Sequence, residues 1–206
     1  VWIAGAPCDR LDMEGAVAHI AACLADGRRC RAVVTNANKA WLVRRDPRLR
    51  DILDRAELAI PEWAMVWAAR RLGLEGVHHI GGITLMARLL VEAERRGWSV
   101  YFLGARPEVV DTLVERMRAE RPALQVAGAH HGYLDDAARQ TVLGDLERIR
   151  PDLLFVAMGS PLQEYFIDEA WTVPGARVAL GVGGSFDVFA GLKKDAPAWA
   201  RGRGLE

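Results

Sequence analysis

The sequence predicts an α/β protein: a Rossmann-like, mostly parallel sheet with helices on both faces. Three observations predict it. Short apolar runs alternate with helical patterns along the 206 residues. Most of the helical patterns carry a single apolar face. The apolar runs end in clusters of glycine and polar residues, as the carboxyl ends of strands in such sheets do. Strands separated by helices need crossover connections, and these make a parallel sheet covered on both sides.

The elements follow in order. Val1–Ala4 is a short strand, and Leu11–Ala25 a helix with Met13, Val17, Ile20 and Leu24 on its apolar face. Cys30–Thr35 is a strand. Lys39–Arg45 and Pro47–Ala56 form a helix broken at Asp46-Pro47, because the residue before proline avoids the helical region. Leu58–Ile60 is a strand and Ala64–Leu72 a helix. Gly82–Arg96 buries Leu85, Leu89, Leu90 and Ala93, Ser99–Leu103 is a buried strand, and Pro107–Glu120 is a helix. Leu124–Ala129 is a strand. Asp135 or Asp136 caps the next helix, which buries Val142, Leu146 and Ile149. Leu153–Met158 is a strand followed by a tight Gly159 turn and a helix, Pro161–Ala170, with Pro161 at its first position. Arg177–Val182 is the last strand, Phe186–Ala190 a further helical turn, and the final ten residues a surface tail. With no linker or repeat, residues 1–206 read as one domain.

Lys plus Arg and Asp plus Glu both number 27, so the chain lacks the basic field of a nucleic-acid binder. Cys8, Cys23 and Cys30 have no Cys-x-x-Cys spacing. His19 and Cys23 share a helix face but form half a zinc site at most, so no metal is expected. No apolar run reaches the roughly 20 residues of a membrane span. The odd, sparse cysteine count points to a reducing, cytoplasmic setting.

The polar residues collect at strand ends: Thr35-Asn36-Ala37-Asn38-Lys39, Pro61-Glu62-Trp63, Gly104-Ala105-Arg106, His130-His131-Gly132-Tyr133, Gly159–Glu164 and Gly183–Asp187. In a parallel sheet all six turns share one edge, where a crevice for a nucleotide or sugar nucleotide forms. Backbone N–H groups at the glycine turns suit phosphate. Ser160 and Gln163 also have capping-box spacing, and a helix-closing role stays open beside ligand contact. Lys193-Lys194 reads as a solvated pair, with phosphate or anionic lipid as the alternative. Of the tryptophans, Trp63 beside Glu62 is the one expected to line a pocket. The absence of Gly-x-Gly-x-x-Gly after any strand disfavours an NAD-dependent oxidoreductase.

The order of motifs resembles the WecG/TagA/CpsF family of bacterial glycosyltransferases along nearly the whole chain. The resemblance is carried by Val34–Lys39 with Arg44–Pro47, Val66–Arg70, Gly82–Leu90, Tyr101–Gly104, His130–Tyr133, Gly159–Glu164, Gly181–Asp187, Ala190-Gly191 and Ala196–Trp199. It implies a GT-E-type, Rossmann-like fold and an inverting, metal-independent transfer without cofactor. The donor would be a UDP-sugar such as UDP-N-acetylmannosamine or a UDP-hexose. The acceptor would be a polyprenyl-diphosphate-linked saccharide of teichoic acid, exopolysaccharide or another envelope polymer. It also implies a location peripheral to the inner face of the cell membrane, with membrane contact through a basic C-terminal appendage expected beyond Glu206. A homo-oligomer is compatible with this reading.

Inversion in one step needs a base for the acceptor hydroxyl and stabilisation of the departing diphosphate. Where the family has Pro-Asp-Gly with aspartate as base, this chain reads Pro61-Glu62-Trp63: aligned by the proline, Glu62 takes the aspartate's place and is the expected catalytic base, whereas aligned without a gap through Val66-Trp67, Pro61 does. The family's Arg-x-x-Gly-x-Asp-Leu reads His79-Ile-Gly-Gly-Ile-Thr-Leu85, losing an arginine and an aspartate. Substrate contacts are expected from Thr35, Asn36, Asn38, Trp63, His79, Gly104, Gly159, Gln163, Gly183, Gly184 and Asp187. The alternative function is a catalytically retired sugar-nucleotide-binding partner or regulator of a transferase complex.

Overall fold

The computed structural model describes residues 1–194. Its centre is a six-stranded, wholly parallel sheet built from β3 (Cys30–Thr35), β4 (Leu58–Pro61), β5 (Ser99–Gly104), β6 (Gln125–His130), β7 (Leu153–Ala157) and β8 (Val178–Gly181), in the order β4-β3-β8-β7-β5-β6. Every residue of β4, β7 and β8 is buried, which is why these strands read as unbroken apolar runs rather than alternating ones. β6 is half exposed at one edge.

Successive side chains of each strand feed opposite layers. Val34, Phe102, Phe155 and Leu180 pack with α1 (Met13–Ala25), α5 (Gly82–Arg96), α6 (Pro107–Glu120) and α9 (Ser185–Phe189). Val33 and Ala59 pack with α2 (Ala37–Leu42), α3 (Pro47–Asp54) and α4 (Trp63–Arg71). Tyr101, Leu154 and Val156 pack with α7 (Asp136–Ile149) and α8 (Leu162–Ala170). Phe102 is the centre of the first layer, stacked 6.0 Å from Phe155 and edge-on to Phe186 at 5.7 Å.

The expected strand at the N-terminus is half of a hairpin, β1 (Trp2–Ile3) pairing antiparallel with β2 (Ala6–Pro7). Two residues after it, Asp9 blunts the sheet edge: its N–H donates to Ala59 O at 2.9 Å and its Oδ2 accepts from Ala59 N–H at 2.8 Å. Edge backbone groups covered in this way cannot recruit another strand.

Local chemistry places the helix starts. Asp12, Asp46 and Asp135 cap α1, α3 and α7, each accepting a backbone N–H three residues on. Asp135 is therefore the cap and Asp136 the first helical residue. Pro161 stands before α8 rather than opening it, since Gln163 N–H closes a turn onto Gly159 O at 2.9 Å. The surface tail and the motif Ala196–Trp199 lie outside the described residues.

Candidate active site

The carboxyl ends of β3, β4, β7 and β8, with the segment leading into α5, enclose a cleft of about 740 Å³. Asn36, Asn38, Glu62, Trp63, His79, Gln163, Gly183 and Gly184 all line it, together with Lys39, Ser160, Gly181, Thr84 and Lys193. Thr35, Gly104, Gly159 and Asp187 lie outside its lining. Thr35 is fully buried and donates to Ile60 O at 3.3 Å. Gly104 serves the sheet: at φ +138° a Cβ would stand 2.4 Å from Ala157 O, so only glycine lets β5 approach β7 there. Gly159, at φ +75°, makes the turn before α8. Asp187 faces Lys193, Nζ to Oδ2 3.7 Å.

The turns after β5 and β6 share the edge but not the cleft. β6 stands four strand positions from β3, roughly 19 Å away. His130 and His131 pair with each other there, rings 4.4 Å apart.

A single hydrogen-bonded line runs along the cleft. Glu62 follows Pro61, which pairs with Thr35 across β3 and β4, and Glu62 N–H donates to Thr35 O at 2.9 Å. Glu62 Oε2 accepts from Asn36 Nδ2 at 3.0 Å. Asn36 is also the N-cap of α2, its Oδ1 accepting from Lys39 N–H at 3.0 Å. Lys39 turns inward, with Nζ 2.8 Å from Glu164 Oε1 and 2.5 Å from Val34 O. Glu164 further accepts from Ser160 Oγ at 2.5 Å and Gln163 Nε2 at 2.8 Å. Gln163 Oε1 then accepts from Gly183 N–H at 3.1 Å. Four strand-end turns, those after β3, β4, β7 and β8, are thereby tied through side chains.

Two readings change here. Ser160 and Gln163 do not form a capping box, since α8 has no side-chain cap; both hydroxyl and amide serve the Glu164 carboxylate. Lys39, Ser160 and Glu164 lie in turns expected to form the crevice but were not among the expected substrate contacts. The signal for Lys39 was its rarity, one of three lysines in an arginine-rich chain. Its partner lies 125 positions away, beyond any local pattern.

Lys39 and Glu164 are 2 % and 1 % exposed, so each neutralises the other's charge, and several hydrogen bonds complete the pair. Other groups bring positive potential to the cleft. The N-terminus of α5 opens into the cleft at Gly81–Thr84 with no side-chain cap and no acidic residue in its first turn. Lys193 stands at the rim and is exposed. Trp63 packs edge-on against His79, centroids 4.6 Å apart, and its buried Nε1 has no hydrogen-bond partner among the described residues. Glu62 is the only carboxylate among the described lining residues, so these offer no paired-carboxylate metal cradle. At the opposite edge of the sheet, His19, Cys23 and Cys30 bring their ligand atoms within 4.8 Å of one another. Burial there, together with the neighbouring Cys23, raises the pKa of the Cys30 thiol.

Fold and crevice together define a Rossmann-like α/β protein with a ligand cleft at the carboxyl ends of its strands. Comparison with known proteins narrows the class: the model of the glycosyl transferase WecG/TagA/CpsF family matches residues 1–206, and the chain belongs to that family. Relatives named N-acetylglucosaminyldiphosphoundecaprenol N-acetyl-beta-D-mannosaminyltransferase occur in Bacillus spizizenii, Bacillus subtilis and Staphylococcus aureus. The first is 30% identical over 94% of this chain and 77% of the relative. The second is 32% identical over 82% and 66% respectively. The third is 39% identical over 65% and 52%. The chain thus spans between about half and three-quarters of these curated relatives.

Proposed function

We propose that this protein is an inverting glycosyltransferase that moves a sugar from a UDP-sugar to a saccharide carried on a polyprenyl diphosphate, in the assembly of a cell-surface polysaccharide. The observation that carries the reading is the line from Glu62 through Asn36, Lys39, Glu164 and Gln163 to Gly183. It supports a carboxylate held at one end of the cleft and glycine-rich backbone held at the other. The relatives' names supply the acceptor class and an N-acetylmannosaminyl donor.

In this reading Glu62 is the base. Asn36 occupies Oε2, and Oε1 has no hydrogen-bond partner among the described residues, leaving it to receive the proton of the acceptor hydroxyl. The hydroxyl oxygen attacks the anomeric carbon from the face opposite the diphosphate. The carbon–oxygen bond to UDP breaks, its electron pair leaves with UDP, and the anomeric configuration inverts. The α5 N-terminus, the backbone at Gly183–Gly184 and Lys193 oppose the negative charge that grows on the diphosphate. Lys39 is already neutralised and orders the floor instead. No described helix is long and apolar enough to cross a membrane. A peripheral position at the inner face of the membrane brings the cleft to a lipid-linked acceptor.

Titration calorimetry with UDP and UDP-sugars tests donor binding, and transfer to a prenyl-diphosphate-linked N-acetylglucosamine tests the reaction. Glu62→Gln keeps the hydrogen bond from Asn36 and is expected to bind UDP normally while turnover falls roughly 10²–10⁴-fold. Normal turnover in that variant would remove Glu62 as base. UDP binding without transfer to any acceptor would favour the retired binding protein.

A further inference from the structure

Beside the cleft lies a second depression, of about 530 Å³, between β1, α2 and α4. Its floor is Ile3, Ala40, Met65 and Ala68, and its walls are Trp41 and Trp67. Arg44 is the only charged residue among its described lining residues. The tryptophans are not core residues: Trp41 is 52 % and Trp67 62 % exposed. Each is flanked by arginine, Arg45 lying 4.1 Å over the Trp41 ring and Arg71 5.2 Å over that of Trp67. An open apolar trough walled by tryptophan is an unusual surface for a soluble protein, and such surfaces mark binding sites. Arginine alongside tryptophan suits the boundary between an anionic head group and hydrocarbon.

The groove and the cleft share two lining residues, Ala37 and Ala64. These are the first residue of α2, next to Asn36, and the second of α4, two positions from Glu62. The side chains at that doorway are alanine methyls, the smallest that carry a Cβ. A ligand with its sugar at Glu62 has an apolar surface adjoining it across this doorway. Its diphosphate would pass near the arginine rim, where the charges are complementary. We propose that the groove holds the first isoprene units of the acceptor's lipid tail. The assignment rests on the acceptor reading above.

The test is a prenyl-diphosphate-linked N-acetylglucosamine carrying a photoreactive diazirine in its second isoprene unit, irradiated with the 1–206 chain. Modified residues are mapped by mass spectrometry, and UDP binding is measured separately by calorimetry. Label is expected on the segments Ala40–Arg44 and Met65–Ala68, suppressed about tenfold or more in Trp41→Glu and Trp67→Glu. Both side chains are exposed, so these variants are expected to bind UDP as the wild type does. Label in the groove supports the assignment whether or not UDP binds. Label confined elsewhere, or none, overturns it, while calorimetry independently decides the donor reading. Tryptophan-dependent binding to prenyl-free phosphatidylglycerol vesicles without groove label would overturn it in favour of a membrane-contact face. Self-association abolished by the same variants, again without label, would overturn it in favour of a second copy.

Discussion

The side-chain amide of Asn36 holds the carboxylate of Glu62, Nδ2 to Oε2 3.0 Å, and the helix that Asn36 caps fixes which way that amide faces. Its oxygen must meet Lys39 N–H, so its nitrogen must meet Glu62. Asn36 therefore acts as a positioning residue. Asn36→Ala is expected to cost about 1 kcal/mol through the lost cap. It should lower kcat roughly tenfold by freeing the Glu62 side chain, with the Kd for UDP nearly unchanged. Steady-state kinetics beside UDP calorimetry checks the split.

The Lys39–Glu164 pair makes a stability prediction. Lys39→Met leaves a carboxylate buried without its cation, and a loss of about 3–5 kcal/mol is expected in urea unfolding. The double variant Lys39→Met, Glu164→Leu removes both charges and is expected to recover much of that loss. Additive losses in the double-mutant cycle would refute the coupling.

Gly181 ends β8 directly against Gln163. A Cβ at Gly181 would lie 2.5 Å from Gln163 Nε2 and 2.9 Å from its Cδ. Because the obstruction is a side-chain end, Gly181→Ala is expected to fold with Gln163 displaced. Both hydrogen bonds of that amide, to Glu164 and from Gly183, are then lost. UDP affinity is expected to fall roughly tenfold, for two neutral-to-moderate hydrogen bonds, while Tm moves only a few degrees. Unchanged affinity would show that the Gly183 turn needs no support from α8.

Acid stability is expected to depend on the contact between α8 and the start of α3. The Tyr165 hydroxyl donates to Asp46 Oδ2, and this bond, with the Leu49 N–H that Asp46 caps, holds the Asp46 carboxyl below its usual range. A folded pKa below the unfolded value means stabilisation that is complete above about pH 4 and is lost as pH falls through the folded value. The same bond raises the pKa of Tyr165, so its contribution holds below about pH 10 and fades as pH rises through the folded value. In Tyr165→Phe, Tm is expected to fall across the neutral range and to vary less below pH 4. A parallel, pH-independent offset would exclude the linkage.

Much of the architecture was legible because its signals are local. Gly82–Arg96 and Pro107–Glu120 carry their apolar faces at helical spacing, and both helices have the bounds that spacing implies. Asp46-Pro47 starts a new helix as proline chemistry predicts, although α2 spans Ala37–Leu42 and ends before the expected Arg45. The hairpin Trp2–Pro7 was missed because two residues per strand are too few to show a period. The Ser160–Gln163 spacing left two roles open, because a cap and a carboxylate clamp can use the same residue types; the structure shows the clamp on Glu164.

The sequence alone determined that strands and helices alternate, that the sheet is parallel, and that six polar turns lie on one edge. Each of these follows from side-chain periodicity and from what a crossover connection permits. Which of those turns meet was decided only by strand order, β4-β3-β8-β7-β5-β6, which sets β3 beside both β4 and β8 and carries β6 to the far side. So Glu62, Asn36 and Gln163 share a cleft, while Gly104 and the histidine pair do not. The buried Lys39–Glu164 pair is of the same kind. A charge can leave water only where another segment brings its counter-charge, and neither partner's neighbours in the chain record that the other will be there.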